Sequence, residues 1–108
     1  MPNATDDFAG LRKGLLEYVL LALIAGGRLY VADMLARLAD TPFATQEGTL
    51  YPLLSKLRRD ALVDYDWVES EAGPPRKYYR LTEQGAQRLA DLSNYWRQLN
   101  DALLRLGA

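Results

Sequence analysis

A mainly α-helical chain with one small β-hairpin is predicted by three observations. Apolar residues recur at intervals of three and four in four separate stretches, a period of two replaces that spacing only between Leu62 and Leu81, and Gly26-Gly27, Pro42 and Gly73-Pro74-Pro75 punctuate the joins. With 108 residues, 49% of them hydrophobic, the chain can bury a single core, which implies one domain and no second catalytic module.

Met1 to Ala9 is polar and is expected to be a flexible N-terminus. A first helix follows from about Gly10 to Ala25, with Leu16, Val19, Leu20 and Leu23 at i, i+3, i+4 and i+7 as its core stripe. Arg12-Lys13, the apolar run Leu15 to Ile24 and the small residues after it also resemble a secretory leader. Glu17 interrupts that run, which is too short to span a bilayer, so a buried helix explains it better and no membrane partner is expected. The second helix runs from about Val31 to Ala39 on Val31, Met34, Leu35 and Leu38, and Asp40-Thr41-Pro42 ends it.

The third helix, Thr45 to Ala61, takes Thr45 as N-cap and buries Leu50, Leu53, Leu54, Leu57 and Ala61. Its opposite side carries Gly48, Pro52, Ser55 and Arg59, flanked by Thr49 and Lys56 on one edge and Tyr51 and Arg58 on the other. That face is polar, basic and slim at its start, the shape of a helix inserted in a DNA groove, and Gly48 lets its backbone come close. Pro52 inside the helix presses on the carbonyl of Gly48 and should kink it. Taken by itself the helix favours the reading of an ordinary solvated surface with three cations.

Leu62 to Val68 alternates Val63, Tyr65 and Trp67 against Asp64 and Asp66, and Lys77 to Leu81 repeats the alternation after a Gly73-Pro74-Pro75 turn. Arg76 and Lys77 then project near the turn, either toward a phosphate row or toward Glu69 and Glu71. Thr82 is the N-cap of a last helix, with Glu83 in its first turn. Leu89, Leu92, Trp96, Leu99, Leu103 and Leu106 step by three and four, an a/d seam of about two and a half heptads. A dimer seam is preferred to folding back on the protomer, because a protruding helix would otherwise expose a Leu and Trp stripe. The order is that of a winged helix-turn-helix over 10–81, followed by a long C-terminal dimerisation helix over 82–108.

Composition narrows the chemistry. The chain has no Cys and no His, so thiolate, imidazole and histidine-triad routes are absent, and no metal-ligand spacing, glycine-rich phosphate loop or acid pair suggests a catalytic residue or a cofactor. The net charge of -1 and pI near 5.3 argue mildly against a nucleic-acid partner, so the cations must be segregated in space. Modest nonspecific affinity, clear salt dependence and specificity drawn from two bound copies are expected on that ground.

Leu11-Arg12-Lys13-Gly14-Leu15-Leu16, then Gly48-Thr49-Leu50-Tyr51-Pro52-Leu53-Leu54 with Lys56-Leu57, and finally Gly73 to Thr82 with Gly85 resemble the PadR family of transcriptional regulators, in its short form with one C-terminal helix. The resemblance covers nearly the whole chain, and the diproline leading into Arg76-Lys77-Tyr78-Tyr79 is its most specific part. It implies a homodimeric repressor in the bacterial cytoplasm, bound to double-stranded DNA at a palindromic operator and often released by a planar aromatic small molecule. The family's DNA-contacting positions fall on Gln46, Gly48, Thr49, Tyr51, Lys56, Arg76 and Lys77, while Ser55 and Arg59 come from the helical face alone. Trp96 matches a position that holds planar ligands in some members, but it is also a seam residue, and plain dimer packing is the preferred reading of it. Tyr30-Val31-Ala32 departs from the usual Tyr-Gly-Tyr, leaving the role of the missing tyrosine open. A winged helix that docks another protein, with no phosphate contacts, is the alternative function.

Overall fold

The computed structural model describes residues 7–108, so residues 1–6 of the expected N-terminal segment lie outside the described residues. Helices α1 (Ala9–Ala25), α2 (Val31–Leu38) and α3 (Glu47–Arg59) precede strands β1 (Val63–Ser70) and β2 (Gly73–Leu81), and α4 (Glu83–Arg105) closes the chain. This is the predicted mainly helical architecture with an antiparallel hairpin and a long terminal helix.

Three short helices cannot each hide an apolar stripe alone, and here they share one core. Leu16, Leu20, Leu21 and Ile24 of α1 meet Val31, Met34 and Leu38 of α2 and Leu50, Leu54 and Leu57 of α3, with Leu29, Leu62, Val63 and Tyr79 closing the edges. Each leucine buried in this way contributes roughly 1.5–3 kcal/mol. The stripe on α1 is rotated from the expected one: Leu21 and Ile24 are buried, whereas Val19 and Leu23 are half-buried. A run apolar all round leaves its facing to the packing partners, and α2, α3 and the wing choose the Leu16-Leu20-Ile24 side.

The helix ends explain the turns. Thr41 stops α2 with its hydroxyl donating to the Leu38 carbonyl at 2.8 Å and accepting the Phe43 N–H at 3.0 Å. Thr45 is not the cap of α3; Gln46 holds that position with extended backbone, and its carbonyl accepts the first helical N–H groups of Thr49 and Leu50. The Thr41 turn, closed again by Ala44 N–H on the Thr41 carbonyl, delays the helix past Thr45. Nor does Ala61 belong to the buried stripe of α3. It is exposed at φ 63°, its N–H bonded to Arg58 O at 2.9 Å and that of Leu62 to Leu57 O at 2.9 Å. That pattern is a Schellman termination, with alanine in the left-handed position glycine usually fills.

The hairpin is longer than the alternation suggested, and Gly73-Pro74-Pro75 is not its tip. The turn is Glu71-Ala72, and both prolines lie inside β2, with the register slipping between Val68 and Ser70. A two-stranded sheet has only edges, and proline is tolerated at an edge position whose N–H owes nothing to the ladder. At the root, Leu29 and Tyr79 exchange both backbone hydrogen bonds, at 3.2 and 2.8 Å, tying β2 to the α1–α2 link.

Thr82 caps α4 as expected, accepting the Gly85 N–H at 3.0 Å while donating to Ala61 O at 2.6 Å. The first half of α4 lies on the protomer: Leu89 and Leu92 pack partly against the core, and Tyr18 and Ser93 share a hydrogen bond across 3.1 Å. Beyond Ser93 the seam is open, with Trp96, Leu99 and Leu103 each about two-fifths exposed and Leu106 81% exposed. The radius of gyration of 16.1 Å, against about 13 Å for a compact chain of this length, reports the projecting helix.

Candidate nucleic-acid interface

The outward face of α3 follows from its buried one. Because Leu50, Leu54 and Leu57 have no exposure, the residues stepping away from them must face solvent, and Gln46, Gly48, Thr49, Tyr51, Ser55, Lys56 and Arg59 are all exposed. Gly48 has ordinary helical backbone, and a Cβ built on it would meet nothing within 4 Å. The protomer itself therefore has no need of a glycine there.

The wing brings its cations beside this helix through aromatic rings. Arg76 and Lys77 do not project from the turn; they sit three and four positions after Gly73, opposite Val68 and Trp67. The Arg76 guanidinium lies 4.7 Å from the centre of the Tyr30 ring, which packs on Tyr78 at 5.2 Å. Lys77 Nζ stands 4.6 Å from the Tyr65 ring and 5.3 Å from the Trp67 ring. Such contacts hold a flexible cation in place while leaving its hydrogen-bond donors unspent. Among the described residues neither cation pairs with Glu69 or Glu71.

Three grooves join the nominated residues. Tyr51 shares a cleft of about 310 Å³ with Arg76, Lys77, Trp67 and Tyr30. Ser55 and Arg59 face Lys77 across a second, of about 480 Å³, and Thr49 and Lys56 line a third, of about 440 Å³, with Lys13 and Glu17 of α1. Gln46 and Gly48 line none of these and stand alone at the start of α3. Tyr30 and Lys13 were missed as site residues by sequence reasoning. Tyr30 is separated from Arg76 by 46 positions in the sequence, and Lys13 was legible as a basic residue ahead of an apolar run and as part of the first resemblance stretch, neither of which marked it as a site residue.

Asp64 and Asp66, in the acidic stretch between the two cation groups, are neutralised locally. Arg58 pairs with Asp64 at 3.2 Å, Arg80 with Asp66 at 3.2 Å and with Asp64 at 3.8 Å, and Arg28 with Asp66 at 3.9 Å. The Tyr65 N–H and the Arg58 guanidinium hold the Asp64 carboxyl below its ordinary pKa. Among the described residues Arg59, Arg76 and Lys77 make no ion pair, whereas Lys56 is held by Asp60 at 3.0 Å and approached by Glu17 at 3.7 Å. No group of three or more His, Cys, Asp or Glu able to hold a metal occurs among the described residues, and no helix there is long and apolar enough to cross a membrane.

The family model described as "Transcriptional regulator PadR-like family" matches residues 20–91. A PadR-like transcription factor from Bacteroides fragilis is 42% identical with a TM-score of 0.81, over 91% of this chain and 95% of that one. A PadR-like transcriptional regulator from Bacillus cereus is 28% identical at a TM-score of 0.81, covering 91% and 96%. A PadR family transcriptional regulator from Eggerthella lenta is 31% identical at 0.78, covering 90% and 85%.

Proposed function

The chain belongs to the PadR-like family of transcriptional regulators, which are DNA-binding proteins and not enzymes, and from that premise we propose that it is a homodimeric repressor of a palindromic operator. The observation that carries the DNA reading is the shared surface on which the exposed Tyr51, Ser55 and Arg59 of α3 line two clefts with the wing cations Arg76 and Lys77. Gly48, helical and exposed like Gly10 and Gly14, adds a point of close backbone approach at the start of α3.

Gln46, Gly48, Thr49, Tyr51 and Ser55 approach base edges and the sugar–phosphate wall, while Lys56, Arg59 and Lys13 meet phosphates. Arg76 and Lys77 hold the flanking backbone or minor groove from the wing. The exposed stripe Trp96, Leu99, Leu103 and Leu106 supports a two-fold pairing through α4, extended by the half-buried Leu89 and Leu92. Two α3 helices then enter successive major grooves about 34 Å apart, and repression is by occupancy. A planar aromatic compound seated at Trp96 would bind one inter-helix angle better than another and weaken DNA binding by the same coupling energy. The site of action is the cytoplasm, where the operator is.

Gly48→Ala tests that close backbone approach. Helix stability should hold or rise, by up to about 1 kcal/mol, while operator affinity falls. Selection of duplexes from a random pool, read beside the solution mass, should return an inverted repeat and a dimer. Duplex binding that ignores salt would favour a protein-docking role, and an alanine variant binding as tightly as its parent would remove Gly48 from the interface. Planar aromatics should quench the tryptophan fluorescence of the parent and not that of Trp96→Ala; unchanged quenching in the variant, arising from Trp67, would remove Trp96 from the ligand account.

A further inference from the structure

Glu17 of α1 is a half-buried carboxylate between cations of α3 and α4. Its Oε1 is shielded from solvent and has no hydrogen-bond partner, and the side chain as a whole is 21% exposed. Lys56 of α3 stands 3.7 Å from Oε1, and Arg88 of α4 stands 3.6 Å from Oε2. Both distances exceed a made hydrogen bond, so the carboxylate is attracted to two cations and satisfied by neither. Lys56 meanwhile donates to Asp60 at 3.0 Å, an exposed pair one helical turn away of the kind that contributes little. A shift of about 1 Å would carry Lys56 from that pair onto Glu17 and so away from the outer face.

We propose that Glu17 competes with DNA phosphate for Lys56, and that Arg88 on α4 sets how strongly it competes. The inference rests on the DNA reading above. With Arg88 drawn in, the Glu17 carboxylate is neutralised and Lys56 is released to the phosphate row. With Arg88 withdrawn, the under-satisfied carboxylate recaptures Lys56. One buried oxygen thus connects the helix assigned to pairing with the helix assigned to reading, inside a single protomer. A shift of α4 is thereby felt at the DNA face in addition to any change in half-site spacing.

A phosphate contact is independent of base sequence, so a labelled 24-base-pair duplex of arbitrary sequence is a sufficient probe, read by fluorescence anisotropy as salt is raised from 50 mM. Lys56→Ala should weaken binding and lower the log–log salt slope by about one. Glu17→Gln, isosteric and surrendering no hydrogen bond, should tighten binding about three- to tenfold, and should do nothing in the Lys56→Ala background. Arg88→Met should weaken binding more in the parent than in the Glu17→Gln background, an arm that reads the same competition without altering Glu17. Circular dichroism melts confirm that each variant is folded. Tightening by Glu17→Gln that persists without Lys56 would reduce the effect to net charge and overturn the proposal. So would Lys56-dependent binding that ignores Glu17. No salt-dependent duplex binding by the parent chain would instead overturn the DNA reading, and the competition with it.

Discussion

Replacing Gly85 by alanine drives a methyl group into the corner where α3 hands the chain to β1 and β2 hands it to α4. A Cβ there would stand 1.9 Å from the Leu62 carbonyl oxygen, 2.9 Å from its carbon and 3.3 Å from Leu81 Cδ2. Ordinary contact requires about 3.4 Å, so α4 and the Leu62 carbonyl must separate by about 1.5 Å. That carbonyl also accepts the Thr82 N–H at 3.1 Å, and Gly85 N–H donates to the Thr82 hydroxyl at 3.0 Å, so the separation strains the cap as well as the packing. Overpacking against backbone costs about 1–3 kcal/mol and a lost cap about 1 kcal/mol. The helix-propensity gain of about 1 kcal/mol for leaving glycine offsets part of this. A net loss of about 1–3 kcal/mol should lower Tm by roughly 4–24 °C in a melt at fixed protein concentration. Gly14→Ala is the control: nothing lies within 4 Å of its Cβ, and it should gain about 0.5–1 kcal/mol. A Gly85→Ala protein melting with its parent would refute the rigidity of the corner.

Four further outcomes follow from the geometry. Ala61→Gly should stabilise by about 1 kcal/mol in a urea melt, because it relieves a left-handed backbone held by a Cβ-bearing residue. Leu99→Glu with Leu103→Glu, at positions each 41% exposed in the protomer, should leave far-UV helicity intact while sedimentation shows loss of the proposed dimer and affinity for the proposed operator drops. Arg76→Ala should reduce the salt slope of duplex binding by about one, with stability changed by no more than the roughly 0.5–1 kcal/mol of its ring contact. Burial raises the pKa of Tyr79. A raised pKa means that the folded state keeps its proton longer: the stability is whole below about pH 10 and is lost as pH climbs through the folded value. Tyr79→Phe should remove that alkaline loss in pH-resolved melts.

The element order was legible because each element carries its own period: Val31, Met34 and Leu38 are buried as spaced, and Thr82 caps α4 as its side chain predicts. What escaped was set by partners distant along the chain. The facing of α1 depends on which side of an all-apolar run the other helices occupy, so Leu21 and Ile24 replaced Val19 and Leu23 in the buried layer. Local residue type also misled where a stronger local contact intervened. Thr45 lost the cap to Gln46 because the Thr41 turn consumes the preceding residues, and the prolines entered β2 because an edge strand tolerates them. At the interface, solvent exposure along α3 was readable from its buried side. The ring-bound state of Arg76 and Lys77 and the approach of Glu17 to Lys56 required the tertiary fold, whereas the Lys56–Asp60 pair is a local i, i+4 contact.

The paired bonds between Leu29 and Tyr79 make the hairpin a cantilever: anchored at one end to the body, it grows more compliant with distance from the clamp. Lys77 rides close to the anchorage and keeps its aim, while the Glu71-Ala72 end can yield to a groove of varying width. Because side chains alternate with a period of two, insertion of one residue on each side of that end would lengthen the beam without rotating what lies behind it. Reach and stiffness of this appendage can therefore be retuned independently of the hydrophobic interior.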